Sequence, residues 1–148
     1  MPFHPNFPLP DVEWAPLQPY WAAAARGELV IPRCEACGRW VWYPRSSCPG
    51  CHATETPAWT PVSGKGRLFS WTVVTHPFLP AFRDQVPFVT GLVALEEDPA
   101  VRLATQVVDC GPDDLVCEQP VEVVFRPLRF NGVEGEVMAP LWRPAAGR

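Results

Sequence analysis

The sequence predicts a mostly β fold, and three observations carry that prediction. Twenty prolines and ten glycines among 148 residues interrupt helices and central strands, which excludes a large helical bundle and favours short strands joined by stiff loops. The second half of the chain repeats runs of seven to nine residues rich in Val, Leu, Thr and Phe, the composition of strands. Four of the six cysteines fall in two tight pairs, a spacing that suits a metal better than a disulfide framework. With 47% hydrophobic and 19% charged positions, the chain has core material for one ordinary domain or two very small ones.

The elements divide into three segments. Residues 1–28 form a proline-rich arm and a short helix: PLQPYWAAAARG, from Pro16 to Gly27, favours two or three helical turns with Pro19 as the boundary before and Gly27 after. So short a helix is marginal alone, so Tyr20 and Trp21 must dock on the protein's own domain or on another chain. Residues 29–62 form a ribbon too small for a core of its own, with Leu29 to Pro32 and Trp40 to Tyr43 as short strands flanking the first cysteine pair. Residues 63–148 hold five strand-like runs, RLFSWTVVT, FVTGLVALE, VRLATQVVD, VEVVFRPL and EVMAPLW. Turn chemistry at Asp98-Pro99, Gly111-Pro112-Asp113 and Asn131-Gly132 separates several of them. Five short strands with no helical period between most of them fit a closed or nearly closed barrel of the OB type. Gly64 and Gly66 open its first strand, where glycine lets a strand bend sharply.

The cysteine pattern is the strongest chemical signal. Cys34-x2-Cys37, ten residues, then Cys48-x2-Cys51 gives two knuckles whose thiolates can converge on one ion, and four thiolates leave no open position for water. The expected site is structural zinc held by Cys34, Cys37, Cys48 and Cys51, in a rubredoxin-like ribbon; mononuclear iron shares this ligand set. Cys110 and Cys117 lack a third ligand nearby and read as ordinary thiols, His52 as a spare beside Cys51, and His4 as a solvated side chain. His76 has no partnered nucleophile or carboxylate motif, so no catalytic residue is assigned.

Charge narrows the partners. The net charge is −4 with a pI near 5.3, Lys65 is the only lysine, and residues 65–148 carry eight basic against eleven acidic side chains. That balance argues against a groove for single-stranded nucleic acid. No run approaches the apolar length of a membrane span and the start lacks the form of a secretion signal, so a cytoplasmic protein is expected. Arg33, Arg39 and Arg45 surround the knuckles and read either as contacts for phosphates or as a solvated basic face. The loop PFLPAFRDQV, Pro77 to Val86, places Phe78, Leu79 and Phe82 in a proline-stiffened connection that covers its own barrel or inserts into a partner.

Taken in order, CxxC-Gly, Cys-Pro-x-Cys, Trp59, SGKGRLFSWTVV, the HP-containing loop, FVTGLVALEED, VRLATQVVD, VEVVFRPL and PLWRP resemble an acyl-CoA-associated family once catalogued as domain of unknown function thirty-five. The resemblance runs from about Pro16 to Trp142 and implies a zinc ribbon followed by an OB fold. It implies a non-catalytic companion of a thiolase-superfamily enzyme, in a two-plus-two heterotetramer that helps form an acyl-CoA channel. The branch most resembled, through HPFLP and PLWRP, accompanies lipid-transfer-protein-like aldolases that cleave steroid side-chain CoA thioesters. Companions of biosynthetic thiolases, of hydroxymethylglutaryl-CoA synthase or of enoyl-CoA hydratases are the alternatives. On this reading Tyr20, Trp21, Phe78, Leu79 and Phe82 meet the partner, and Arg33, Arg39 and Arg45 meet CoA phosphates.

Overall fold

A computed structural model describes residues 4–146. The first three residues of the expected arm and the last two of the expected barrel segment lie outside the described residues. A 3-10 turn at Ala15–Leu17 leads into α1 (Gln18–Ala25), followed by β1 (Val30–Arg33), β2 (Ala58–Pro61), β3 (Lys65–Val74), β4 (Phe88–Leu95), β5 (Arg102–Val107), β6 (Pro120–Leu128) and β7 (Val137–Pro144). No helix among the described residues is long and apolar enough to cross a membrane.

Pro19 sits inside the first turn of α1 rather than before it, a position where its missing N–H breaks no helical bond. Gly27, at φ +76, closes the helix as expected by donating to the Ala24 carbonyl, while Glu28 N–H donates to Ala23. Ala23 and Ala24 are each 1% exposed and α1 packs on β7 and β1. The alanine run therefore lets the helix axis come close to the barrel.

Strands β3 to β7 form a closed barrel in the order β3-β4-β5-β7-β6. All neighbours are antiparallel except β5 and β7, which meet parallel at Val107 and Trp142. A bulge between Leu68 and Ser70 bends β3. At Gly66 an added Cβ would lie 2.5 Å from the Ala94 carbonyl oxygen, so this position needs glycine for close strand approach. The inward residues Leu68, Val93, Leu95, Leu103, Val121 and Trp142 form the core, joined by Leu29 and Ile31 from the ribbon's root.

The ribbon differs from the expected arrangement. Its sheet is β1 paired antiparallel with β2, from Val30 opposite Pro61 to Arg33 opposite Ala58. The expected strand from Trp40 to Tyr43 reduces to a single bridge between Arg33 and Trp40, supported by the Val41 N–H donating to Pro32. Beyond that bridge the rings of Trp42 and Tyr43 turn into an aromatic cluster, and Pro44 follows.

Candidate functional site

The two cysteine pairs sit on turns with the same hydrogen-bond plan. In the first, Cys34 N–H donates to Arg39 C=O and Gly38 N–H donates to Cys34 C=O, each at 2.8 Å. In the second, Cys48 N–H donates to Ala53 C=O at 2.9 Å and His52 N–H donates to Cys48 C=O at 3.0 Å. The residue four beyond each leading cysteine is left-handed, Gly38 at φ +75 and His52 at φ +63. His52 thus occupies the turn position that glycine holds in the first knuckle.

The four sulfurs converge, with all ligand atoms within 4.8 Å of one another. Cys34 Sγ lies 3.7 Å from Cys51 Sγ and Cys37 Sγ 3.6 Å from Cys48 Sγ. A tetrahedron of thiolates at a Zn–S distance of about 2.3 Å has edges of about 3.8 Å, so the cluster is positioned to bind a metal ion. Cys34 and Cys48 are buried, while Cys37 and Cys51 reach the surface. The backbone N–H groups of Cys51 and Gly50 pull the Cys48 thiol down to about 6. At Cys51 the Ala53 N–H acts in the same direction, but desolvation and the neighbouring thiols outweigh it and push that thiol up to about 11.

The three arginines around the knuckles do not share one role. Arg33 donates from Nε to Gly38 C=O at 2.9 Å and lies 4.9 Å over the Trp40 ring, so it braces the first turn. Arg39 and Arg45 line a groove of about 480 Å³ with Trp40, Trp42 and Asp98, where the ribbon meets the β4–β5 turn. None of the three pairs with a carboxylate among the described residues.

Aromatic side chains tie the helix to the ribbon. Trp21 meets Tyr20 at 5.1 Å, Tyr20 meets Trp42 at 5.3 Å, Trp42 meets Tyr43 at 5.5 Å, and Tyr43 stacks on Trp14 at 6.3 Å. Tyr20 is deep enough in this row for burial to push its phenol well above the ordinary range. At the outer end Trp14 and Tyr43 are 46% and 45% exposed. Tyr43 has no signal in the sequence beyond its ring, because its partner lies 29 positions away in the chain.

The β3–β4 loop separates its three apolar residues. Phe82 stacks on Phe88 at 5.7 Å and meets Phe130 edge-on at 5.1 Å, whereas Phe78 is 83% exposed and Leu79 37%. The His76 ring lies edge-on to Phe78 at 4.9 Å. Cys110 is half-buried, and burial followed by the charges of Asp114 and Asp109 pushes its thiol up. Cys117 is exposed.

Comparisons with known proteins agree with this geometry. The family model for the rubredoxin-like zinc ribbon domain of ChsH2 matches residues 21–57, and that for the C-terminal OB-fold domain of ChsH2 matches residues 59–126. A DUF35 domain-containing scaffold protein of Methanothermobacter thermautotrophicus is 36% identical over 112 residues, covering 76% of this chain and 82% of its own. A probable enoyl-CoA hydratase alpha subunit of Thermomonospora curvata is 34% identical over 128 residues, which are 85% of this chain but 36% of that protein. Among solved structures, a chain of the Ltp2-ChsH2(DUF35) aldolase superposes with a TM-score of 0.76 at 30% identity, over 91% of this chain and 98% of that one. A DUF35 protein from Sulfolobus solfataricus shares the fold, with a TM-score of 0.55 at 13% identity over 86% of this chain and 84% of its own.

Proposed function

The chain belongs to the DUF35 family of zinc-ribbon and OB-fold scaffold proteins of the ChsH2 type, and on that premise we propose that it is the non-catalytic partner subunit of a thiolase-fold enzyme acting on acyl-CoA. The enzyme in this reading is a lipid-transfer-protein-like aldolase that cleaves a steroid side-chain CoA thioester by retro-aldol chemistry. The assembly is a cytoplasmic two-plus-two heterotetramer. One observation carries the reading: similarity extends over nearly all of a chain found in an aldolase complex.

Within that assembly Cys34, Cys37, Cys48 and Cys51 hold a zinc ion, and the ion cross-links the two knuckles. The α1 helix, the segment before it and the ribbon present the partner with aromatic surface that includes Trp21, Trp14 and Tyr43. Arg39 and Arg45 face the phosphates of acyl-CoA from the ribbon–barrel groove, while Arg33 keeps the first knuckle in shape. Guanidinium forks match phosphate oxygens and retain their charge at any working pH. The subunit steadies the enzyme and lines part of the acyl-CoA channel.

Co-expression with a thiolase-fold partner, followed by native mass measurement and turnover assays on acyl-CoA, tests this. The chain alone is expected to show no turnover, and the complex to contain two copies of each subunit and to be active. Steady turnover by this chain alone, or equal activity of the enzyme without it, overturns the proposal. The similarity to a hydratase subunit supports a second reading, a companion of an enoyl-CoA hydratase, which the same assays distinguish by hydration rather than carbon–carbon cleavage.

A further inference from the structure

The loop between β3 and β4 is a stiff finger with a wet tip. Its 3-10 turn, Pro80–Phe82, is closed by N–H groups of Phe82, Arg83, Gln85 and Val86 donating to Leu79, Pro80, Phe82 and Phe82 respectively. Phe82 fastens it to the barrel through Phe88 and Phe130, and Gln85 Nε2 donates to the Arg129 carbonyl at 3.1 Å. Beyond this fastening, Phe78 projects 83% exposed with Leu79 beside it. The Phe78 ring meets His76 edge-on at 4.9 Å and the Phe78 N–H donates to the His76 carbonyl at 3.1 Å, contacts that direct the ring while leaving most of it outside.

We propose that Phe78, backed by Leu79, is the anchor that this subunit inserts into an apolar pocket of its partner enzyme, with Phe82 as a positioning residue that stays on its own barrel. The inference rests on the partner-subunit reading above and deepens it by dividing the loop's apolar residues into an anchor and a fastening. A preorganised ring loses little conformational entropy on docking, which is what makes a single aromatic an effective anchor. Two other occupants compete. A second copy would close into an assembly only by exchanging fingers reciprocally across a two-fold axis, which a self-association measurement detects. A membrane surface would gain one Phe and one Leu flanked by Arg83 and Asp84, too little apolar area for stable attachment.

The test uses the full chain and the thiolase-fold enzyme that co-purifies with it. Phe78→Ser is expected to raise the Kd for that enzyme roughly tenfold or more and to leave the Tm and metal content of the isolated chain unchanged. Phe78→Leu is expected to retain most of the affinity. Phe82→Ala is expected to lower the Tm of the isolated chain and to weaken binding through the misplaced tip. Wild-type affinity in Phe78→Ser, with the complex otherwise intact, overturns the anchor and leaves the partner reading standing. If no such enzyme associates with the wild-type chain, the partner reading falls and the anchor with it. Self-association of the wild-type chain that Phe78→Ser disperses contradicts the proposal in favour of a second copy.

Discussion

Between Cys34 and Ala53 the chain buries Val41, two cysteines and little else, whereas the barrel buries Leu68, Val93, Leu95, Leu103, Val121 and Trp142 at 2% exposure or less. The two regions adjoin and share a boundary: Leu29 and Ile31 at the ribbon's root belong to the barrel core. The contrast teaches where each region's order originates. The barrel closes on itself and excludes water from a continuous apolar interior. The ribbon has no such interior, so its knuckles need four thiols brought to one point. Metal binding in small sites of this kind supplies the folding free energy that side-chain burial cannot.

Breaking the metal cluster is therefore the strongest perturbation. Cys48→Ser is expected to abolish stoichiometric zinc, measured by elemental analysis, and to disorder the knuckles while the barrel's circular dichroism persists. Structural zinc contributes about 10–16 kcal/mol of apparent binding free energy in isolated finger peptides, so no rearrangement of a few apolar residues replaces it. The converse change acts on the other region. Trp142→Ala removes the largest fully buried side chain and is expected to cost about 3–5 kcal/mol in denaturant unfolding. The folded fraction should still carry its metal.

Between these lies the aromatic row, which belongs to neither region alone. Trp42→Ala removes two ring contacts, to Tyr20 and Tyr43. A double-mutant cycle of Trp42→Ala with Tyr20→Ala is expected to give a coupling of about 0.5–1.5 kcal/mol. A coupling near zero would mean that helix and ribbon are independent, and the comparison would then need only two bodies rather than two bodies and a seam.

The smallest expected effect is electrostatic. Asp109 accepts from both terminal guanidinium nitrogens of Arg126, and that hydrogen bonding, aided by the charges of Arg126 and Arg143, holds its carboxyl below the usual carboxylate range. Its folded pKa lies below its unfolded value. The pair therefore adds stability above about pH 4, the ordinary aspartate value, and loses it as the pH falls through the lower folded value. Asp109→Asn should flatten the fall of Tm with acid below that point, by little, because the pair is solvent-exposed. Thiolate protonation also releases metal in acid, but it does so in both proteins and cancels in the difference between them.

The barrel was legible because its strands are long, rich in Val, Leu, Thr and Phe, and separated by turn residues. Each of the five runs became a strand of the closed sheet. The ribbon was legible in its chemistry and less so in its strands. β2, AWTP, is four residues bounded by prolines and has no period to detect, while Trp40 to Tyr43 has the composition of a strand but spends its rings on Arg33, on Tyr20 of α1 and on Trp14. The aromatic row joins positions 14, 20, 21, 42 and 43, and only the fold brings them together. The apolar loop showed its excess of phenylalanine in the sequence, but which ring faces inward depends on Phe88 at the start of β4 and Phe130 in the β6–β7 loop. His52 read as a spare ligand, whereas the structure gives it the left-handed turn position matching Gly38.

Hydrogen–deuterium exchange on the zinc-loaded chain, before and after removal of the ion by a strong chelator, tests the central contrast most directly. The account predicts that chelation strips protection from residues 34–57 and leaves the amides of β3 to β7 as slow as before, with Leu29 and Ile31 changed little because the barrel core holds their side chains. Unchanged protection in the knuckles after complete metal removal, or loss of protection in the barrel together with them, would contradict it.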